Sequence, residues 1–196
     1  MFAYNKRLSE KKEDRMAQPV GGFIQGDGRS YFLHSLEGRK GIIALLAETV
    51  DLWVARGFLH RNHGCIVVMD PRLPYRGDAE EFSKAIFIAL RLGNVDAWEH
   101  PYDDIALAKA KLSWRTGFST REVIELYPHL LEEGDVRWAG GIVFNGWVVA
   151  YSGDKAYLDE AVAYTQAAML TAGARSFLNS LLEEHPDISF LGDEKK

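Results

Sequence analysis

Residues 136–153, VRWAGGIVFNGWVVAYSG, carry the clearest sheet signal in the chain. Asn145 and Gly146 separate two apolar runs, residues 142–144 and 147–151. An Asn-Gly pair is the one best suited to the two positive φ angles of a type I′ turn. We therefore predict a β-hairpin here, and the rest of the fold is built around it.

Residues of little bulk mark both ends of this hairpin. Gly140 and Gly141 enter its first strand, and Ser152 and Gly153 follow its second strand. Glycine at strand ends allows bulges and lets a ligand or another backbone segment come close. The alternative is that these glycines only shape the strand ends. The pattern indicates a site without indicating its occupant.

The composition is that of an ordinary globular protein. Hydrophobic residues make up 47% and charged residues 26% of the 196 positions, which suits one soluble domain. The net charge of -5 excludes the broad cationic surface of a nucleic-acid-binding protein. One cysteine excludes an intrachain disulfide framework and suits a reducing compartment. Since no apolar run approaches the roughly 18 residues of a membrane span, we expect a cytoplasmic protein without a membrane partner.

The charge pattern divides the chain into three parts. Residues 1–30 mix charged side chains with glycine and proline, and from this pattern we expect no secretory leader. The composition indicates a flexible or subunit-embracing N-terminal arm. Residues 31–190 are expected to form the single domain. Residues 191–196 are predicted to be a polar tail.

The first half of the domain alternates helix and strand signals. Helical periodicity runs from Ser35 to a stop at Gly57, with the secure part beginning near Gly41. Residues 66–69 favour a strand, and residues 78–84 suit a short acidic helix.

A second hairpin is predicted over residues 85–100. Its strands would be residues 85–92 and 95–99, joined by a turn at Gly93 and Asn94.

Three helices are predicted after this hairpin. Asp103 or Asp104 would cap the first, which stops at Gly117, and Ser119 with Glu122 forms a capping box for the second. The third helix follows the hairpin of residues 136–153. It would be capped by Asp154 and end at Gly173, with another turn or two over residues 177–182.

The residues of these elements resemble a known family. Residues 105–117, IALAKAKLSWRTG, are similar to the Ala-x-x-Lys-Ala helix of the GlcG/HbpS-like family, which includes haem-binding (haem-degrading-domain) proteins and the C-terminal domain of PduO. Lys111 is matched to the lysine of that helix. The other matches are Gly140 and Gly141 to a Gly-Gly pair, Asn145 and Gly146 to a turn, Ser152 and Gly153 to a closing Ser-Gly, and Asp159 and Glu160 to an acidic pair.

The resemblance extends over residues 42–173 and carries several expectations. It implies an α/β (α+β), profilin-like fold, in which helices pack on an antiparallel sheet, and a symmetric homo-oligomer. It also implies haem as a ligand. Residues 64–84 look like an insertion relative to the family, and the strand before Gly153 is shorter than the family's.

Three soft or borderline metal ligands lie close together. His60, His63 and Cys65 read His-x-x-His-x-Cys, but a zinc site needs a fourth ligand and no second cluster of the usual spacing is present. We favour the alternative, a solvated loop with a buried cysteine.

Titratable residues also cluster before the Lys111 helix. Glu99 and His100 are candidates for acid/base catalysis, because histidine titrates near neutrality. His100 is alternatively an axial haem ligand. The simpler interpretation of the neighbouring Asp103 and Asp104 is that they cap the helix and complement its dipole.

Lys111 is the main candidate for binding an anionic group. A lysine on a helix rich in alanine can reach solvent, pair with a carboxylate, or neutralise an acid group of a ligand.

The function that we predict is small-molecule binding, with Lys111, Gly140, Gly141, Ser152 and Gly153 around the ligand. Haem or a small organic acid would be that ligand. One alternative is an enzyme that acts on a small carboxylated or carbonyl substrate through His100 or Glu99. Another is a structural or interaction protein that functions through its N-terminal arm.

Overall fold

The structure is a computed structural model that describes residues 18–19, 36–73, 75 and 79–191. Within these residues, five strands form one sheet in which every pairing is antiparallel. The strand order is β1-β3-β2-β5-β4. The strands are Gln18–Pro19 (β1), Gly64–Met69 (β2), Ile86–Leu92 (β3), Gly141–Phe144 (β4) and Trp147–Ser152 (β5).

Helices cover both faces of the sheet. The α-helices of the described residues are Leu36–Ala55 (α1), Ala79–Ala85 (α2), Tyr102–Thr116 (α3), Thr120–Leu126 (α4) and Ala156–Glu184 (α5). α1 and α5 share one core cluster with side chains of the sheet, whereas α3 packs with a second cluster on the opposite face. The predicted α/β arrangement, an antiparallel sheet with helices packed on it, is confirmed.

The central strand comes from the segment that was expected to be an insertion. β2 pairs with β3 on one side and with β5 on the other, and all six of its residues are buried. Ile66 and Val68 face α1 and α5, while Cys65 and Val67 face α3. A strand covered by helices on both faces is apolar throughout. Residues 64–69 are therefore the centre of the sheet and not an addition to it, whereas an insertion over residues 70–84 stays a prediction.

The predicted hairpin of β4 and β5 is confirmed. Phe144 pairs with Trp147 across the turn, and the turn residues Asn145 and Gly146 have φ angles of 49° and 82°. These two positive angles are those of a type I′ turn.

The predicted strand at residues 95–99 is wrong. Val95–Ala97 forms a 3₁₀ turn, in which the side chain of Asn94 accepts a hydrogen bond from the N–H of Asp96. The indole of Trp98 also donates to the carbonyl of Leu92. These local bonds turn the chain away from the sheet, and β3 pairs with β2 instead.

The predicted C-terminal ends of α1 and α3 and the predicted start of α4 are confirmed. α1 stops before Gly57, and α3 stops at Gly117, which has a left-handed φ of 75°. The capping box of Ser119 and Glu122 is present at the start of α4. The N-cap of α3 is Pro101, however, so neither predicted aspartate caps that helix.

The last helix differs from its prediction at both ends. Its N-cap is Lys155 rather than Asp154, and it passes through Gly173 to end at Glu184. A glycine inside a helix costs only about 1 kcal/mol relative to alanine, which the backbone hydrogen bonds of a continuous helix outweigh.

Both chain ends are described only in part. Of the predicted arm, Gln18 and Pro19 pair with Arg91 and Leu90 at the edge of the sheet, and its other residues lie outside the described part. Residues 192–196 of the predicted tail also lie outside it. None of the helices in the described ranges has the length and apolar character needed to cross a membrane.

The opposite edge of the sheet is covered by the start of α4. The N–H of Gly141 donates to the Thr120 hydroxyl at 3.0 Å, and that hydroxyl donates to the Gly141 carbonyl at 3.3 Å. The N–H of Val143 donates to the Ser119 hydroxyl at 3.2 Å. The outward-facing N–H groups of Gly141 and Val143 on β4 therefore have side-chain hydrogen-bond partners.

Candidate functional site

A cavity of about 240 Å³ lies where the end of β5 meets the first turns of α3 and α5. Charged, aromatic and small side chains all contribute to its wall. The residues that line it are Arg61, His100, Tyr102, Ile105, Lys109, Trp138, Ser152, Asp154, Ala156 and Asp159.

A buried ion pair forms one wall of the cavity. Lys109 Nζ lies 2.7 Å from Asp159 Oδ2, and the two side chains are 1% and 3% exposed. Lys109 Nζ also donates to the backbone carbonyl of Tyr151 at 3.0 Å. A buried charge is tolerated when it is paired and hydrogen-bonded, and both conditions are met here.

Helix geometry selects Lys109 rather than Lys111. The buried positions of α3 include Tyr102, Ala106, Lys109 and Ser113, which recur at intervals of three and four residues. Lys111 falls off this face and is exposed. The residues that fit the Ala-x-x-Lys-Ala pattern are likewise 106–110, with Lys109 as the lysine. The structure therefore corrects the location of the pocket lysine by two residues.

Burial governs the ionisation of the pair. It lowers the pKa of Lys109 from its ordinary value, and the charge and hydrogen bond of Asp159 oppose this effect. Burial raises the pKa of Asp159, which Lys109 and two backbone N–H donors oppose. The 2.7 Å contact between the two groups favours the charged forms that burial disfavours.

The two aspartates of the cavity accept hydrogen bonds from the protein's own donors. Asp159 Oδ1 accepts the N–H groups of Gly153 and Asp154, at 3.2 and 2.9 Å. Asp154 accepts the N–H groups of His60 and Lys155, at 2.6 and 2.8 Å, and its carboxylate also bonds to the His60 ring. Burial acts to raise the pKa of Asp154, but these donors lower it overall.

The cationic groups keep unused donors. Lys109 has three N–H donors and uses two, on Tyr151 and Asp159. Arg61 has five, one of which bonds to Glu99 Oε2 at 3.1 Å. The hydrogen-bonding capacity that remains at the cavity is therefore mainly of the donor type.

Aromatic rings supply the apolar part of the wall. The ring of Tyr102 lies 5.3 Å from that of His63 and 5.8 Å from that of His100, measured between centroids. Trp138 is 46% exposed at the cavity, and the Arg137 guanidinium lies 5.0 Å from its ring centroid. A large aromatic side chain left half exposed at a cavity suits contact with a ligand.

The predicted ligand-binding glycines contact the protein itself. A Cβ on Gly140 would lie 2.8 Å from both Lys109 Nζ and the Cβ of Asp159. A Cβ on Gly141 would lie 2.7 Å from the Ser113 hydroxyl oxygen. Gly153 is equally close to its own neighbours, and of the predicted binding residues only Ser152 lines the cavity. Gly140 and Gly141 let α3 approach the start of β4, and Gly140 does the same for α5, which builds the wall of the cavity.

Glu99 and His100, the predicted acid/base residues, are separated in the structure. His100 lines the cavity. Glu99 pairs with Arg61 and does not contribute to the cavity wall.

The three predicted metal ligands face different surroundings. The His60 ring bonds to Asp154, the His63 ring lies beside Tyr102, and Cys65 is buried against α3. Burial raises the pKa of the Cys65 thiol to about 12. In the described part of the chain, no group of three or more His, Cys, Asp or Glu side chains is placed to hold a metal ion.

Three cavity residues had no functional signal in the sequence. Arg61 lies in the loop before β2, Tyr102 looked like part of a helix start, and Trp138 lies in the segment before β4. They meet only through the packing of α3 on the sheet. Asp159 was named only through the family resemblance. Its separation from Lys109 along the chain does not indicate that the two side chains pair.

The chain was compared with family models, curated proteins and solved structures. No family model matches the chain, and no curated protein matches it. The crystal structure of Klebsiella pneumoniae protein ORFY, assigned to the family model DUF336, is similar to the chain at 16% identity and a TM-score of 0.49. The match covers 76% of this chain and 97% of ORFY.

Proposed function

We propose that this protein binds a small organic acid in the cavity beside Lys109 and Asp159. The observation that carries the proposal is the imbalance of hydrogen-bonding capacity. Asp154 and Asp159 are occupied by the protein's own donors, whereas Lys109 and Arg61 keep N–H groups for another partner. A carboxylate is the simplest acceptor for such donors, because charge-assisted bonds to it are short and strong.

Arg61 is the more accessible of the two anchors. Its side chain is 35% exposed, and a planar guanidinium can hold a carboxylate through two parallel hydrogen bonds. Lys109 would contribute its remaining N–H from the buried end of the cavity. The acid group would therefore lie between a rim anchor and a buried anchor.

The size of the cavity favours a small ligand over haem. Its volume of about 240 Å³ lies below the roughly 300–1,000 Å³ of pockets that take drug-sized ligands. Haem is larger than most such ligands, so this volume supports a smaller acid. Trp138, Ile105 and Ala156 would contact the apolar body of a smaller acid.

Calorimetric titration tests the proposal. The probes are phenylacetate and its uncharged analogue phenylacetamide, with haemin as a third. We expect saturable binding of phenylacetate, and weakening by at least about tenfold in Arg61→Gln, the loss expected for a hydrogen bond to a charged group. The matched control is Arg56→Gln, since Arg56 is exposed and does not line the cavity. Equal binding of the acid and the amide, or no binding of either, would contradict the proposal.

Acid/base catalysis is the second proposal, and one observation favours it. His100 lines the same cavity as Lys109, so a proton acceptor and an electrostatic partner would face one substrate. A test is deuterium exchange at the carbon next to the carbonyl of a 2-oxo acid in D₂O, followed by NMR. Exchange that disappears in His100→Gln while binding persists would support catalysis, and exchange that persists in the variant would exclude His100.

Self-association into a homo-oligomer is also proposed. Large apolar side chains are exposed on the second half of α5, including Leu178 and Leu182 at 40% and 44%. Such side chains on one helix suit a contact between identical subunits.

A further inference from the structure

Two polar atoms next to the cavity are buried without a hydrogen-bond partner in the described part of the chain. They are the Tyr102 hydroxyl and His63 Nε2. Buried polar atoms are nearly always hydrogen-bonded, so an orphan calls for a partner outside the protein, such as a water molecule or a ligand. The rings of these two residues lie against each other, and the two orphans therefore belong to one region.

Tyr102 contributes to the cavity wall, and its hydroxyl is buried. Tyr102 is 3% exposed and is one of the lining residues. Apart from burial, the groups that act on the pKa of its hydroxyl include Arg61, Asp159 and Asp154, three other residues of the cavity wall. Burial raises that pKa above its ordinary value, so the hydroxyl keeps its proton at neutral pH.

A neutral hydroxyl binds a different chemical group from the carboxylate that Arg61 and Lys109 would bind. The cations suit a carboxylate, whereas a phenol donates one hydrogen bond to an uncharged oxygen or accepts one from a hydroxyl. Burial first and Arg61 second lower the pKa of His63, so its ring is also neutral at neutral pH. The region beside the proposed acid-binding groups is thus polar and uncharged.

We propose that Tyr102 is a specificity-determining residue that hydrogen-bonds to an oxygen atom carried by the ligand beside its carboxylate. The ligand class is then the hydroxy acids and oxo acids, and unsubstituted acids bind more weakly. This inference rests on the proposed acid-binding function. A site that can bond a substrate oxygen discriminates against analogues that lack it, because its own polar group is then left unpaired.

The test uses three acids that differ in one substituent: phenylacetate, 2-hydroxy-2-phenylacetate and 2-oxo-2-phenylacetate. In the unmodified protein, we expect the oxygenated acids to bind about tenfold more tightly than phenylacetate, the effect of one well-formed hydrogen bond. In Tyr102→Phe, the three affinities should lie within about twofold of one another, with that for phenylacetate unchanged. Tyr164→Phe is the matched control, since Tyr164 is exposed and lies outside the cavity.

The possible outcomes separate this inference from the proposed function. Binding of all three acids with equal affinity, or equal weakening of all three in Tyr102→Phe, would overturn the role of Tyr102 and leave acid binding intact. Failure of every acid to bind would overturn the proposed function and the inference together. Thermal unfolding gives an independent readout, because removing an unpaired hydroxyl should not lower the melting temperature. A marked drop in Tyr102→Phe would show that the hydroxyl has a structural partner.

Discussion

Lys109 Nζ and Asp159 Oδ2, 2.7 Å apart, join the middle of α3 to the first turn of α5. The same aspartate accepts the backbone N–H groups of Gly153 and Asp154, which lead into α5. One ion pair therefore fixes a helix, a strand end and a loop relative to one another. Because this ion pair also lines the cavity, the same two side chains contribute to stability and to the proposed binding site.

Breaking the pair from one side should destabilise the protein strongly. In Lys109→Met the carboxylate of Asp159 stays buried without its cation, and we expect a loss of about 3–5 kcal/mol in the free energy of unfolding. Urea denaturation measures this loss. The matched control is Lys111→Met, where an exposed lysine on the same helix is replaced and the change should stay within about 0.5 kcal/mol.

The double variant Lys109→Met with Asp159→Asn should recover part of that loss. The neutral asparagine keeps an oxygen for the N–H groups of Gly153 and Asp154, and no unpaired charge remains. If the double variant is as unstable as the sum of its single variants, the coupling described for this pair does not exist.

Gly140 should tolerate no side chain. Its φ is +124°, and a Cβ there would lie 2.8 Å from Lys109 Nζ. Backbone strain and collision together should make Gly140→Ala cost about 3 kcal/mol or more. Gly134 also has a positive φ, of +90°, but nothing lies within 4 Å of its Cβ position. Gly134→Ala therefore isolates the cost of the backbone, and equal losses in the two variants would show that contact with the pair is unimportant.

Asp154 should make the protein sensitive to acid. The donors from His60 and Lys155 outweigh burial and hold its pKa below the ordinary value. A carboxyl group with a lowered pKa in the folded state adds stability above its unfolded pKa of about 3.9, and that stability is lost as the pH falls through the folded pKa.

Thermal unfolding measured against pH tests this prediction. We expect Asp154→Asn to be less stable than the unmodified protein by about 1–3 kcal/mol above pH 5, and the difference should shrink at lower pH. Asp187→Asn, at an exposed position, should show no such trend. A difference that stays constant down to pH 2 would contradict the assignment.

Cys65 should be unreactive in the folded protein. With its pKa raised to about 12 by burial, the thiolate fraction at neutral pH is about a thousandfold lower than for a free cysteine. A colorimetric thiol reagent should therefore react slowly in buffer and rapidly in guanidinium chloride. Rapid reaction in buffer would show that β2 opens readily, and would revive Cys65 as a metal ligand.

Self-association can be tested at the exposed half of α5. If Leu178 and Leu182 lie between subunits, Leu178→Glu should lower the mass measured by light scattering to that of a smaller species. A change of the exposed Leu126 on α4 to glutamate is the control. An unchanged mass in Leu178→Glu would place the contact elsewhere or exclude it.

Elements governed by local rules were predictable from the sequence. The Asn145-Gly146 turn and the Ser119 capping box depend on residues a few positions apart, and both are present. The second hairpin failed because Asn94 bonds to the N–H of Asp96 and supports a 3₁₀ turn, which competes with strand pairing. The residue pattern over positions 95–99, which looks like that of a strand, does not show that a 3₁₀ turn competes with strand pairing there.

The site was less predictable, because its parts are distant in the chain. Lys109 and Asp159 are 50 positions apart, and only the packing of α3 on β5 brings them together. Choosing between Lys109 and Lys111 needed the helical spacing from Tyr102 and Ala106, which was available in the sequence. The hydrogen bonds that backbone N–H groups donate to Asp154 and Asp159 have no sequence signature.

The hydrogen bonds between β4 and the hydroxyls of Ser119 and Thr120 affect how the protein behaves at high concentration. An open sheet edge is a template onto which a strand of another molecule can add, and such addition leads towards aggregation. Here the outward N–H groups of Gly141 and Val143 are already bonded to side chains, so this edge offers little to an incoming strand. Ser119 and Thr120, at the start of α4, thus also protect the protein against aggregation through this edge.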